Sequence, residues 1–475
     1  MTVEAVTHRP AREIAHLVGR RELSPMEVVQ AHLARIDALN PSLNAFVHVG
    51  REGALAEANR QEAMLRRGVS PGPLQGVPVS IKSAIAVQGM PWETGSAFRA
   101  GIRADRDATL VRRLREAGAI VLGVTNTAEQ LMAWETDNLL YGRTSNPWDL
   151  SRTAGGSSGG ESAAIAAGLS AGGVGSDGGG SIRVPAHFTG TCGLKPTPGR
   201  VPATGHFPPC AGPFALTGVV GPMARTVDDV ALLLSAMAGA DIGDPNGHPV
   251  PLQSLDSVEP PLRVGVFEDD GRTPVTRETR AAVRRAADAL GRSGFDVVAF
   301  RPEGLEDARV LWWEIFGRAS RLLLEPAVKG RESEVHPNLP QFLEWTRAEP
   351  TITAERLLEV EIARDLLRTQ FATQMVDVPV LLCPVSAVPA FRHGEREWEI
   401  EGRRVHYLDA WSYTAWFNLL QNPAVAVPAG RSDEGLPIGV QVVARPWEEH
   451  VALAVARVIE RELGGFTPPP DSPGT

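Results

Sequence analysis

The stretch from Thr153 to Pro196, TAGGSSGGESAAIAAGLSAGGVGSDGGGSIRVPAHFTGTCGLKP, constrains this chain more than any other. Two glycine-rich loops, Gly155–Gly160 and Gly178–Gly180, bracket a small-residue segment. Each loop presents serine: Ser157 and Ser158 in the first, Ser181 at the end of the second. Glycine accepts positive φ and lets N–H groups converge without interference from Cβ. Converging N–H groups beside a serine are what an oxyanion hole and its nucleophile require. Between the loops, Glu161 to Leu169 is rich in Ala and Ile, which predicts a closely packed, buried helix.

The flanking sequence reads as α/β. Ser24-Pro25-Met26-Glu27 is a helix start with a capping box, and Asn40-Pro41 is expected to stop that helix. Val77, Val79 and Ile81 mark a buried strand that ends at Lys82. Asp107 to Gly118 is an amphipathic helix and Ile120 to Val124 a short strand. Thr226 caps a helix whose first turn carries Asp228 and Asp229. A strand over 262–267, a helix over 276–290 and a strand over 296–300 form another unit. Residues 305–374 read as mostly helical, with Trp312, Trp313, Phe316 and Trp345 as core packing or as walls of an apolar pocket. Strands over 378–384, 424–428 and 439–443 precede a C-terminal helix over 450–463. The expectation is one α/β domain over residues 1–466: a central mixed β-sheet flanked by helices, a helical elaboration near 305–375, and a disordered tail over 467–475.

The net charge of −9 argues against nucleic acid as a partner. Cys192, Cys210 and Cys383 form no CxxC pair, which favours reduced thiols over a disulfide framework or a zinc site. No segment approaches the ~18 apolar residues of a membrane span, and the N-terminus lacks an apolar signal core. A cytoplasmic protein, monomeric or homodimeric, is expected.

Several chemistries are disfavoured. The loops match neither GxxxxGK[ST] nor GxGxxG, so nucleotide binding is a poor reading. There is no GxSxG elbow, and His187, six residues after Ser181, reads as structural. No HExxH motif or carboxylate cluster suggests a metal, and no cofactor is expected. Lys82 has two readings: a solvent-facing lysine where a strand emerges, or a desolvated lysine held neutral as a base.

GGSSGGESAAIAAG followed by GSDGGGSIRVPAHFTGTCGLKPT resembles the signature of the amidase signature family of serine hydrolases. GVPVSIK resembles the segment that carries the catalytic lysine of that family, and the likeness extends to NPWD at 146–149, GRV at 199–201, GPMA at 221–224 and GLPIGVQ at 435–441. The resemblance implies a Ser–cis-Ser–Lys triad of Ser181 (nucleophile), Ser157 (bridge) and Lys82 (base). It also implies an oxyanion hole from the N–H groups of Gly178, Gly179, Gly180 and Ser181, with Ser158, Asp177 and Arg183 in support, the last two as a pair. Two departures stand out. Ser83 occupies a position usually held by Asp, and the 178–180 loop is all glycine, which is expected to enlarge the pocket.

The resemblance implies a stand-alone amidase for apolar or aryl acyl amides, similar to bacterial relatives of fatty acid amide hydrolase, with esters and carbamates (urethanes) as further small-molecule substrates. The alternatives are the glutamine-hydrolysing component of a tRNA-dependent amidotransferase, which works with companion subunits, and a binding protein with a decayed site. Pro208 to Pro213 reads as a rigid turn rather than a mobile cover.

Overall fold

A computed structural model describes residues 6–470. Its strands, in chain order, are β1 (Phe46–Val49), β2 (Pro78–Lys82), β3 (Ile120–Thr125), β4 (Ser145–Asn146), β5 (Asp149–Thr153), β6 (Gly172–Asp177), β7 (Cys192–Lys195), β8 (Val219–Ala224), β9 (Arg263–Val266), β10 (Asp296–Ala299), β11 (Val380–Pro384), β12 (Glu397–Ile400), β13 (Arg403–His406), β14 (Ala424–Arg431) and β15 (Pro437–Ala444). Eleven of them form one mixed sheet in the order β1-β3-β2-β6-β8-β7-β14-β15-β11-β9-β10, and helices flank it. This is the single α/β domain that the sequence predicts. Its central strands are buried along their whole length, as strands covered on both faces must be.

The parallel pairing of β2 with β6 matters most for the site. Val79, Ser80 and Ile81 stand opposite Gly172, Gly173 and Val174. Lys82 at the end of β2 and Ser176–Asp177 at the end of β6 therefore emerge together at the carboxyl ends of adjacent parallel strands. Crevices beyond the carboxyl ends of strands are where open α/β sheets bind ligands.

Several local expectations hold. Ser24 and Glu27 form the capping box of the helix Pro25–Leu43. Thr226 Oγ1 accepts from the Asp229 N–H at the start of the helix Val227–Met237. The segment 305–377 is helical: Leu305–Trp312, Ser320–Val328, Asn338–Arg347 and Ala354–Asp377, with a π-helical turn over Trp313–Ala319.

One boundary is corrected. The helix that begins at Pro25 runs through Pro41 to Leu43 instead of stopping at Asn40. A proline in the last turn forfeits a single intrahelical bond. The side chain of Asn40 then closes the end, its Oδ1 accepting from the N–H groups of Ala45 (2.9 Å) and Phe46 (2.8 Å). Of the expected tail, residues 471–475 lie outside the described residues, and 467–470 carry no helix or strand. Among the described residues no helix is long and apolar enough to cross a membrane.

Candidate active site

The helix Gly159–Ala166 starts directly after the serine pair, and the helix Arg183–Thr189 starts two residues after Ser181. Both glycine loops are thus strand-to-helix junctions, the first leaving β5 and the second leaving β6. Small residues let them meet. A side chain on Gly156 would strike the backbone of Ala133 and Glu135, and one on Gly160 the backbone of Asn126. The Gly156–Ser157 peptide is cis.

Lys82 is fully buried, and its Nζ donates to three hydroxyls: Ser157 Oγ at 2.7 Å, Ser158 Oγ at 2.9 Å and Ser176 Oγ at 3.0 Å. Burial pulls its pKa down from 10.5 to about 7, although the charges of Asp177 and Glu161 act the other way. This is the desolvated lysine of the two sequence readings. Ser83 stands where the family pattern has a carboxylate, and among the described residues its buried Oγ has no hydrogen-bond partner, so position 83 puts no acid beside the amine.

Glu161 lies beneath, fully buried, and accepts from Ser80 Oγ (2.5 Å) and Thr125 Oγ1 (2.8 Å). Burial pushes its pKa up to about 8. A side chain on Gly173 would collide with its carboxylate, so that glycine of β6 makes room for it.

Asp177 and Arg183 pair as expected, Nη2 to Oδ1 at 3.0 Å and Nε to Oδ2 at 3.1 Å, both side chains fully buried. Burial works against the Asp177 carboxylate, yet the guanidinium and the N–H groups of Gly180 and Ile182 hold it well below the usual carboxylate range. Arg183 also donates to Gln441 Oε1 (3.0 Å), Asn418 Oδ1 (2.6 Å) and the Thr414 carbonyl (3.0 Å). A buried ion pair stabilises only when its remaining donors are met, and these are. The sequence points to Gln441 through GLPIGVQ; Asn418 and Thr414 lie in no motif.

One expectation about the second loop is corrected. The Gly180 N–H is donated to Asp177 Oδ1 at 2.7 Å, so it is committed to holding the turn. Gly178, Gly179 and Ser181 carry the remaining N–H groups of the loop. Aromatic residues fix it from the other side. Trp312 Nε1 donates to the Gly178 carbonyl (2.8 Å), Trp134 Nε1 to the Gly179 carbonyl (2.9 Å), and Thr414 Oγ1 to the same carbonyl (2.9 Å). With the carbonyls drawn that way, the peptide N–H groups are turned away from the aromatic layer.

A second correction follows. The all-glycine loop does not enlarge the pocket. A Cβ on Gly178 would meet Phe316 at 2.7 Å and one on Gly179 would meet Trp312 at 2.5 Å, so aromatic rings already occupy the space. These two rings stack with centroids 4.8 Å apart, and Phe316 sits in the π-helical turn that begins directly after Trp312. Of the aromatic-rich segment, Phe316 reaches the cavity wall, while Trp312 packs beneath the loop.

Ser157 and Ser181 line one cavity of about 170 Å³, together with Ser176, Asp177 and Gly178. Its remaining walls are largely apolar: Leu131, Met132, Phe214, Val219, Phe316, Leu323 and Leu324. Pro208, Pro209 and Cys210 also line it, and the Phe207–Pro208 bond is cis. His187 lies elsewhere. Its Nδ1 accepts from the Gly439 N–H (2.7 Å) and its Nε2 meets the Val388 carbonyl (3.1 Å), a structural role as the sequence suggests.

A sequence model of the family described as Amidase matches residues 27–453. The chain belongs to the amidase signature family. It is 37% identical to an acylamidase of Rhodococcus erythropolis, covering 97% of this chain and 96% of that protein. It is 35% identical to a glutamyl-tRNA(Gln) amidotransferase component of Salinispora arenicola, covering 98% and 99%. In three dimensions it superposes on a bacterial aryl acylamidase of the family with a TM-score of 0.84 at 28% identity, over 96% of this chain and 97% of the other. This amidase-signature protein is accordingly a hydrolase of amides acting on small-molecule substrates.

Proposed function

We propose that Ser181, Ser157 and Lys82 are the nucleophile, bridge and base of a stand-alone amidase for apolar or aryl acyl amides. The observation that carries this reading is the 2.7 Å hydrogen bond from Lys82 to Ser157 at the floor of an apolar cavity that Ser181 also lines. A serine hydroxyl needs a base, and a lysine serves only when neutral. With a pKa near 7, Lys82 is half neutral at neutral pH. It draws the proton of Ser157, which draws that of Ser181 as Oγ attacks the carbonyl. The N–H groups of Gly178, Gly179 and Ser181 receive the oxyanion. The bond from Trp312 to the Gly178 carbonyl orients the Gly179 N–H, while those from Trp134 and Thr414 to the Gly179 carbonyl and from the Gly180 N–H to Asp177 hold the turn. Ser157 returns its proton to the leaving nitrogen, and water hydrolyses the acyl-enzyme by the same relay. Ser158 and Ser176, the other two partners of Lys82, hold its amine towards Ser157.

The lining supports an apolar acyl group. Among the described residues, Asp177 is the one formally charged side chain in it, and Arg183 neutralises that charge. Glutamine would need partners for its α-ammonium and α-carboxylate, and the lining offers no cation for the latter. This favours apolar amides over the glutamine-hydrolysing role in an amidotransferase. Esters and carbamates with the same acyl groups meet the same machinery and belong to the proposed range.

The test is hydrolysis by the purified chain alone of a short aliphatic amide, a long-chain acyl amide, an anilide, a p-nitrophenyl ester, an aryl carbamate and glutamine. Turnover of the apolar members supports the reading. Turnover of glutamine alone overturns it in favour of the amidotransferase role.

A further inference from the structure

His206 lines the same cavity as Ser157 and Ser181 and is 8% exposed. Its Nδ1 lies 2.7 Å from the Pro208 carbonyl oxygen. A carbonyl can only accept, so Nδ1 carries the proton and Nε2 is a bare acceptor. Among the described residues, that buried Nε2 has no hydrogen-bond partner. Burial, joined by the nearby Lys82 charge, lowers the His206 pKa to about 4, so the ring is neutral and Nε2 keeps its lone pair at neutral pH. A buried acceptor among apolar walls such as Leu131, Met132 and Phe214 rejects a ligand with no donor to offer it.

The backbone places this acceptor on the lysine side of the site. His206 bridges to Ile85, the Phe207 N–H donates to the Ala84 carbonyl (2.8 Å) and the Ala86 N–H to the Gly205 carbonyl (2.9 Å). The loop is therefore tied to the residues that directly follow Lys82. That is the side from which the relay returns its proton to the leaving group. An amide nitrogen becomes pyramidal in the tetrahedral adduct, and its lone pair must turn towards the proton on Ser157. A fixed acceptor for its N–H holds it in that orientation. An ester oxygen has no hydrogen to give and lone pairs to spare.

We propose that His206 is a specificity-determining residue whose Nε2 accepts the N–H of the leaving group, so that the preference of the site for amides over matching esters depends on it. This rests on the reading of Ser181, Ser157 and Lys82 as the relay.

The experiment measures kcat/KM of the full chain on the anilide and the phenyl ester of one aliphatic acid, for wild type, His206→Leu and His206→Gln. His206→Leu is expected to lose about tenfold or more on the anilide, the worth of one hydrogen bond, and less than about threefold on the ester. His206→Gln, whose side-chain oxygen reaches the Nε2 position, is expected to regain most of the anilide rate. Equal losses on both substrates, or no loss on the anilide, overturn the proposal. Thermal unfolding accompanies each variant, and His206→Phe replaces His206→Leu if the latter does not fold. Ser181→Ala, run alongside, separates the failures: an active Ser181→Ala overturns the relay, whereas an inactive one with parallel losses in His206→Leu overturns only the role of His206.

Discussion

The Trp312 indole donates to the Gly178 carbonyl at 2.8 Å. A residue 134 positions later in the chain thereby sets the direction of the Gly178–Gly179 peptide, in the loop that leads to the proposed nucleophile. Trp312→Phe keeps an aromatic ring and removes the N–H. It is expected to lower kcat by about tenfold with little change in KM, because the lost bond orients groups that act in the transition state. Steady-state kinetics on an anilide checks this.

The glycines of the same loop are occupied from outside. Gly179→Ala would place a methyl 2.5 Å from the Trp312 ring. Overpacking of this kind costs ~1–3 kcal/mol and shifts the backbone. The variant is expected to unfold at lower temperature and to lose at least about 100-fold in kcat, the scale of one displaced oxyanion donor. Calorimetry and kinetics on the same sample check both parts.

The lysine predicts the pH profile. Its working form is the free amine, and its pKa is lowered to about 7 by burial. Below that value kcat/KM is expected to fall about tenfold per pH unit, and above it to level off. Lys82→Ala removes this limb together with most of the activity. The same shift bears on stability: between about 7 and 10.5 the unfolded chain keeps a proton that folded Lys82 has shed. Stability from this group therefore rises with pH across that window.

The Asp177–Arg183 pair is expected to be structural and steep in its effect. Asp177→Ala leaves a buried guanidinium without its carboxylate and frees the Gly180 N–H. Breaking one partner of a buried pair costs ~3–5 kcal/mol. Chemical denaturation of Asp177→Ala against wild type reads it.

Much of this was legible in the sequence for identifiable reasons. Apolar runs such as 77–81 and caps such as Ser24 and Thr226 act locally, so they mark their elements directly. The glycine–serine loops announce themselves because so few backbones tolerate them. The strand β6 was not legible: GGVGSD has almost no intrinsic strand preference. It is a strand because β2 and β8 pair with it on both sides and because Glu161 needs the space above Gly173. The roles of Trp134, Trp312, Thr414 and Asn418 were hidden for the same reason. They act across 45 to 241 residues of sequence, through hydrogen bonds to carbonyls that no local pattern encodes. The commitment of the Gly180 N–H to Asp177 depends on the path of the turn, which composition does not specify.

The central claim is that Ser181 is made nucleophilic by a neutral Lys82 acting through Ser157. The most direct measurement is the rate of covalent labelling by a fluorophosphonate as a function of pH, with the labelled residue located by peptide mass spectrometry. The account predicts an adduct on Ser181 alone, forming at a rate that rises up to about pH 7 and then levels, and almost none in Lys82→Ala. An adduct on Ser157, or labelling of Ser181 at a rate indifferent to the loss of Lys82, would contradict it.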